Sequence, residues 1–154
     1  VLTGPWQMGK VDQGFMVLWI AAHIFGKELA YFGFGGQGKQ VRDILHVCDL
    51  YSLLTLQLAD LDTHSGQIYN VGGGPEISVS LRELTRLARE ATGETIAMGS
   101  NPETRSGDIP WYVSDCAKVR EAAGWEPKIG VKDIVAEIAG WITENRTILK
   151  PILA

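Results

Sequence analysis

An apolar helix near the start of the chain most constrains what the sequence can fold into. Asp12 can cap a helix that runs to about Phe25, and Gly26 follows it as a stop. Both sides of this helix are apolar: one stripe holds Phe15, Leu18, Trp19 and Ala22, and the other holds Met16, Val17, Ile20 and Ile24. A helix that is apolar all round must be buried on all sides. A chain of 154 residues has little room for such burial, so we expect this helix to need a partner.

Length and composition indicate one ordinary globular domain, which we expect to span residues 1–154. The chain is 45% hydrophobic and 21% charged, with a formal net charge of -4. This mild acidity argues against a nucleic-acid-binding surface, which needs clustered Lys and Arg. The longest apolar stretch, Phe15 to Phe25, is too short to span a bilayer. With no export signal in view, Cys48 and Cys116 are expected to be buried free thiols in the reducing cytoplasm.

Strands and helices alternate along the rest of the chain. We expect strands over residues 29–32, 40–47 and 67–71. We expect helices over residues 49–61, 80–92, 114–123 and 131–145. In the first of these helices the inward positions would be Leu50, Leu53, Leu54 and Leu58. Ser80 and Glu83 have the spacing of a capping box, and Gly93 ends the helix that they begin. The alternation predicts an α/β domain with some α+β character.

A glycine-rich segment imitates a phosphate-binding loop. Gly33 to Gly38 matches G-x-G-x-x-G, and with Lys39 it nearly matches a P-loop, although Gln40 replaces the required Ser or Thr. Both motifs need a helix directly afterwards, because the helix N-terminus holds the phosphate. The residues that follow are typical of a strand. We therefore interpret the segment as a loop between strands.

No metal site or hydrolase nucleophile is indicated. His23, His46 and His64 are scattered, and no Cys or His spacing suits zinc, so structural or surface roles are expected for all three. A G-x-S-x-G nucleophile elbow does not occur in the sequence.

Two arginines remain open to two interpretations. Arg42-Asp43 is a charged pair within an apolar strand, so if buried it must be paired or functional. Alternatively, Arg42 lies at an exposed strand edge with a structural role. Arg105, in the loop Arg105-Ser-Gly-Asp108, could approach an anion closely or simply be solvated.

Several motifs occur together in a fixed order. They are Gly4-Pro-Trp-Gln7 with Asp12-Gln-Gly14, Gly38-Lys-Gln-Val-Arg-Asp-Ile-Leu-His-Val47 with Asp49-Leu50, Tyr69-Asn-Val-Gly-Gly-Gly74, Arg105-Ser-Gly-Asp-Ile109, Gly124-Trp-Glu-Pro127 and Trp141-Ile-Thr-Glu-Asn145. This set resembles the C-terminal half of the extended short-chain dehydrogenase/reductases, the NAD-dependent nucleotide-sugar epimerases and dehydratases. The stretch from Phe34 to Asp43 most resembles the subfamily of CDP-sugar 2-epimerases.

The resemblance implies a set of nucleotide-sugar-binding residues. Arg42 matches the arginine that contacts the diphosphate, and Arg105 matches a second phosphate-binding arginine. Asp108 matches the acid that binds the ribose hydroxyls. The strand that lies along the base matches Ala30, Tyr31 and Phe32. Guanidinium groups suit diphosphate oxygens and a carboxylate suits paired hydroxyls, so these roles are chemically sensible. Trp6 departs from the pattern, since many relatives have Arg after Gly-Pro.

The resemblance also implies what this chain does not carry. In the family an N-terminal Rossmann half binds NAD and supplies a Tyr-x-x-x-Lys pair. Here the residues four positions after Tyr31, Tyr51, Tyr69 and Tyr112 are Gly35, Thr55, Gly73 and Cys116. We therefore expect no catalytic residues and no cofactor or metal site in this chain, which would not epimerise a sugar alone.

Three kinds of molecule remain open. The first is a truncated epimerase that retains nucleotide-sugar binding, and the subfamily resemblance implies a CDP-linked sugar. The start at Val1 rather than Met agrees with a truncation. The second is a stand-alone oligomerising or interaction domain that has lost its ligand. The third is one half of a split enzyme with a separate Rossmann partner. Without the Rossmann sheet, strand 67–71 and the apolar helix would be unprotected, so we expect either a homo-oligomer or packing that is rearranged relative to the family.

Overall fold

The computed structural model describes residues 1–8 and 14–154, and its elements alternate as predicted. The helices of these ranges are α1 (Phe15–Phe25), α2 (Val47–Ala59), α3 (Leu61–His64), α4 (Leu81–Thr92), α5 (Ala117–Ala123), α6 (Val131–Glu144) and α7 (Arg146–Leu153). The strands are β1 (Leu2–Thr3), β2 (Leu29–Phe32), β3 (Val41–Asp43), β4 (Leu45–His46), β5 (Ser78–Ser80), β6 (Met98–Asn101) and β7 (Trp111–Tyr112). This mixture confirms the predicted α/β class with α+β character.

The strands form three small sheets. Strand β1 pairs with β4, and β2 pairs with β6, both in parallel. Strand β3 lies between β5, which is antiparallel to it, and β7, which is parallel to it. In this register Arg42 lies opposite Val79 on one side and Tyr112 on the other. Four of the six predicted binding residues lie in these strands: Ala30, Tyr31 and Phe32 in β2, and Arg42 in β3.

Helix α1 is buried by the chain itself, and the expectation that it needs an outside partner is wrong. Helices α4, α6 and α7 pack around it. They contribute fully or almost fully buried side chains, namely Leu84, Ala88, Ile134, Ile138, Ile142, Leu149 and Leu153. The C-terminal helix α7, which the sequence analysis did not predict, closes the last side of this cluster. Gly26 ends α1 in a left-handed conformation, as predicted, whereas Asp12 lies outside the described residues.

Helix α2 begins two residues before its predicted cap. The amide of Cys48 donates to His46 Nδ1 at 3.2 Å, so His46 caps the helix and the predicted strand 40–47 divides into β3 and β4. Asp49 lies inside the first turn, where its buried carboxylate accepts a hydrogen bond from the Ile129 amide at 3.0 Å.

Only one side of α2 faces the interior. Leu53 is buried in a second cluster with Leu45, Val119 and Trp125, as predicted. Leu54 and Leu58 are 47% and 70% exposed, so their predicted inward orientation is wrong. The reason is that the described chain covers α2 on one side only. Cys48 is exposed at the start of the same helix, contrary to expectation, whereas Cys116 is a buried free thiol as predicted.

Residues 67–71 are not paired as a strand in the described chain, although the sequence predicts one. Ile68 in this segment is 83% exposed. Strand formation needs a neighbouring strand to accept and donate hydrogen bonds, and none of the three sheets extends to this segment. None of the helices described is both long and apolar enough to cross a membrane.

Candidate functional site

Arg42 of β3 and Asp108 of the loop before β7 form the centre of the candidate site. Arg42 Nη2 lies 3.0 Å from Asp108 Oδ1. The other terminal nitrogen of Arg42 donates to the Val41 carbonyl at 2.8 Å, and the Ile109 amide donates to Asp108 Oδ1 at 3.0 Å. Both side chains are partly exposed, at 22% and 34%. The guanidinium is therefore held in place while other N–H groups remain able to bind an anion.

Asp43, the second member of the charged pair, has a structural role. It is fully buried, and its Oδ2 accepts hydrogen bonds from the amides of Gly74 at 3.3 Å and Ser114 at 3.2 Å. A Cβ on Gly72 would lie 2.1 Å from the same oxygen, so the backbone approaches Asp43 as closely as only glycine permits. Asp43 thus fixes the end of β3 next to Arg42.

Arg105 reaches the same part of the molecule from a tight turn. Its guanidinium carbon lies 5.5 Å from the centroid of the Phe32 ring, a distance typical of a cation–π contact. The Asp108 amide donates to the Arg105 carbonyl at 3.1 Å, so one turn carries both residues. Phe32 remains 45% exposed. The turn therefore presents one cation and one carboxylate beside an accessible aromatic ring.

Strand β2 presents its residues in two opposite directions. Ala30 and Phe32 share one face, because side chains alternate along a strand. Tyr31 points to the other face, where its hydroxyl donates to Thr85 Oγ1 at 2.8 Å and its ring stacks on Trp19. The structure therefore joins Phe32 to Arg105 but directs the Tyr31 side chain away from them.

Gln40 is a positioning residue that the sequence analysis missed. It is buried, and its Nε2 donates to the Phe32 carbonyl, which ties β2 to the start of β3. Its Oε1 has no hydrogen-bond partner among the described residues. Gln40 precedes Arg42 by two positions, and this spacing places both on one face of an extended chain. That alternation is the signal that could have identified it.

The glycine-rich segment is a loop between strands, as predicted. It forms one 3₁₀ turn, Phe34–Gly36, and continues into β3 rather than into a helix. A Cβ on Gly36 would lie 2.1 Å from Ser100 Oγ, so this glycine allows the loop to pack on β6. Since no helix N-terminus follows, the loop does not fit the diphosphate of a dinucleotide such as NAD.

The histidines occupy places that suit structural roles. His23 is buried in α1, and His46 Nε2 lies 3.1 Å from Glu137 Oε2. His64 Nδ1 lies 2.9 Å from the Tyr69 hydroxyl. Across residues 1–8 and 14–154, no three His, Cys, Asp or Glu side chains are grouped so that they could hold a metal ion.

Comparison with known proteins decides the family. Residues 1–72 match the model of the NAD dependent epimerase/dehydratase family. The CDP-paratose 2-epimerase of Salmonella typhi is 36% identical over 143 residues, which cover 91% of this chain and 42% of that protein. This chain belongs to the NAD-dependent epimerase/dehydratase family. It spans less than half the length of the curated relatives that it matches.

Other proteins are also similar to this chain. A dTDP-glucose 4,6-dehydratase of an Actinoplanes species is 33% identical over 112 residues, covering 73% of this chain and 34% of that enzyme. The structure of MoeE5 in complex with UDP-glucose and NAD has a TM-score of 0.77 and 27% identity, covering 95% of this chain and 46% of MoeE5. UDP-glucose 4-epimerase from Thermotoga maritima shares the fold, with a TM-score of 0.80 at 24% identity over 94% of this chain and 44% of that one.

Proposed function

We propose that this chain is the nucleotide-sugar-binding part of an NAD-dependent epimerase that acts at C2 of a CDP-linked sugar. The observation that carries the proposal is the 3.0 Å pairing of Arg42 with Asp108, beside the turn that also holds Arg105. The likeness to CDP-paratose 2-epimerase supports the choice of a CDP-sugar. The similarity to MoeE5, whose structure is a complex with UDP-glucose and NAD, supports the broader class of nucleotide sugars.

The proposed binding chemistry follows from the side chains. The guanidinium groups of Arg42 and Arg105 bind the diphosphate, because their paired N–H groups match its oxygens. Asp108 accepts hydrogen bonds from the ribose hydroxyls. The backbone of β2 at Ala30, Tyr31 and Phe32 lies along the base. Each charge-assisted contact contributes about 1.5–3 kcal/mol.

The chemical step is proposed to depend on a Rossmann half outside this chain. In the family, bound NAD accepts a hydride from the sugar and returns it. This chain has no tyrosine followed four residues later by lysine, and the loop at 33–38 does not fit a dinucleotide. We therefore expect the chain alone to bind the nucleotide sugar without converting it.

An exposed apolar face on α2 supports a partner for this chain. Val47, Tyr51, Leu54 and Leu58 follow one another at helical spacing, and each is more than 40% exposed. Because the chain spans 42% of CDP-paratose 2-epimerase, we propose that the Rossmann half of the intact protein covers this α2 face. If this chain is instead a stand-alone domain, which is the second candidate function, a second copy of the chain covers the α2 face.

A reducing, cytoplasmic location is also proposed. Cys48 and Cys116 are both free thiols, and Cys48 is exposed. Exposed free thiols persist where the compartment keeps them reduced.

Thermal unfolding with added nucleotide sugars tests the binding proposal. A ligand that binds only the folded chain raises the unfolding midpoint by mass action. We expect millimolar CDP-glucose to raise it more than UDP-glucose or dTDP-glucose does. The rise should disappear in Arg42→Ala and persist in Arg120→Ala, which removes an exposed cation from α5. The proposal would be overturned, in favour of the stand-alone domain, if CDP-glucose did not raise the unfolding midpoint of the parent chain. The same conclusion would follow if Arg42→Ala and Arg120→Ala lost the rise equally.

A further inference from the structure

A groove lined by basic side chains lies beside α4, away from the site described above. Its volume is about 590 Å³, and it is formed by one side of α4 together with Tyr31, Lys39 and Val41. Four cations surround it: Lys39, Arg82, Arg86 and Arg89. We call this feature the cationic groove.

The cationic groove has an excess of positive charge in a chain whose net charge is -4. Its one acidic lining residue, Glu83, is engaged by the backbone amide of Ser80 at 2.9 Å and by the Ser80 hydroxyl at 2.7 Å. These two hydrogen bonds lower the pKa of Glu83. Arg86 pairs with Glu90. Among the described residues no carboxylate lies within salt-bridge distance of Lys39, Arg82 or Arg89. Three cations are therefore available to a ligand.

The spacing of the arginines indicates the size of that ligand. Arg82, Arg86 and Arg89 follow at i, i+4 and i+7, so they lie on one side of α4. From first to last they extend about 10 Å along the helix axis. A chain of linked phosphoryl groups offers anionic oxygens at several points along this row, whereas a single phosphate contacts both ends only if the two arginine side chains converge on it.

Buried hydrogen bonds hold the floor of the groove. Thr85 is 2% exposed, and its hydroxyl oxygen accepts from the Tyr31 hydroxyl at 2.8 Å and from Trp19 Nε1 at 3.0 Å. The rings of Tyr31 and Trp19 also stack, with centroids 6.0 Å apart. A floor fixed in this way does not need to be ordered when a ligand binds, which favours affinity.

The cationic groove is separate from the proposed nucleotide-sugar site. Tyr31 and Val41 line the groove, whereas their neighbours Phe32 and Arg42 carry the other site. Adjacent residues of a strand point to opposite faces. The side chains that line the cationic groove and those of the proposed nucleotide-sugar site therefore point to opposite faces of β2 and β3.

We propose that the cationic groove binds a small polyanion with two or more linked phosphoryl groups, such as inorganic triphosphate. Lys39 and Arg89 contact the terminal phosphoryl groups, and Arg82 contacts the groups between them. The inference is independent of the proposed nucleotide-sugar function, because none of the cations that carry it, Lys39, Arg82 and Arg89, belongs to that site.

Titration calorimetry of the full chain with tripolyphosphate tests this proposal at constant ionic strength. We expect saturable binding that weakens at least tenfold in Arg82→Gln/Arg89→Gln and several-fold in Lys39→Gln. Arg120→Gln should stay within twofold of the parent, and orthophosphate should bind at least tenfold more weakly. Thermal unfolding of each variant verifies that it is folded.

Three outcomes would overturn the proposal. If Arg120→Gln weakens tripolyphosphate binding as much as Arg82→Gln/Arg89→Gln does, the ligand is attracted to surface charge in general and not to a defined site. If Arg42→Ala abolishes tripolyphosphate binding while Arg82→Gln/Arg89→Gln binds as the parent does, the binding lies at the nucleotide-sugar site. Tighter binding of a hexaglutamate peptide than of tripolyphosphate would instead identify the groove as a surface for acidic peptides.

Discussion

Arg42 and Asp108 are 66 residues apart in the chain, yet their side chains meet at 3.0 Å. Both are partly exposed, and exposed ion pairs contribute only about 0–1 kcal/mol to stability. Holding a cation and a carboxylate together at the surface is therefore of little use to folding. We propose that the pair instead holds both groups ready for a ligand that carries anionic oxygens and hydroxyl groups.

The first prediction separates binding from stability at this pair. Asp108→Asn should weaken CDP-glucose binding about 10- to 100-fold, because it removes a charge-assisted acceptor for the ribose. It should change the free energy of unfolding by about 1 kcal/mol or less. Calorimetry and urea denaturation measure the two effects. Asp62→Asn, an exposed carboxylate on α3, is the matched control and should change neither. An equal loss of affinity in both variants would contradict the prediction.

The second prediction concerns the close approach at Gly72. In Gly72→Ala the new Cβ would lie 2.1 Å from Asp43 Oδ2, so the chain must shift around a fully buried carboxylate. We expect the free energy of unfolding to fall by about 1–3 kcal/mol. Gly140→Ala is the control, because a Cβ there meets no atom within 4 Å in α6. That change should stabilise the chain by about 0.5–1 kcal/mol. Equal effects at both positions in denaturation curves would refute the steric explanation.

Local rules predict much of the secondary structure. The Ser80 and Glu83 capping box forms as expected, and Gly26, Gly93 and Gly124 each end a helix in a left-handed conformation. These features depend on neighbouring residues only. The errors concern contacts between distant parts of the chain. The covering of α1 by α7, and the exposure of Leu58 on α2, depend on which helices pack together, and no short-range pattern encodes that.

The candidate site was predictable in its residue types but not in its geometry. The family resemblance identifies Arg42, Arg105 and Asp108, while their closeness depends on the loop before β7. The orientation of Tyr31 and the place of Gln40 both follow from strand alternation, which could have been applied to the sequence. Which face of β2 points to the core is decided by Trp19 and Thr85, and both lie in other elements.

The third prediction is a pH dependence that arises from His23. Burial is the largest influence on this residue and lowers its pKa from 6.5, and the charge of Arg89 lowers it further, while a hydrogen bond to the Trp19 carbonyl opposes them. As the pH falls through about 6.5, the unfolded chain therefore binds a proton before the folded chain does. The free energy of unfolding should decrease on acidification, by up to about 1.4 kcal/mol per pH unit, until the pH falls below the pKa of the folded state.

Urea denaturation between pH 8 and pH 5 measures this dependence. His23→Asn keeps a donor for the Trp19 carbonyl but does not titrate, so its stability should vary less over that interval. A slope that is unchanged in His23→Asn would show that another group causes the dependence.

The fourth prediction concerns the α2 face. Tyr51 and Leu58 are 71% and 70% exposed, and an apolar surface of this kind promotes association when its partner is missing. The isolated chain should therefore associate as its concentration increases. Leu54→Lys/Leu58→Lys should keep it monomeric in sedimentation velocity, with little change in thermal unfolding, because both side chains contribute little to the core. Ile148→Lys, at an exposed position of α7, should leave association unchanged. If the double variant associates as the parent does, the contact lies elsewhere, and α2 is not the surface that a Rossmann half or a second copy covers.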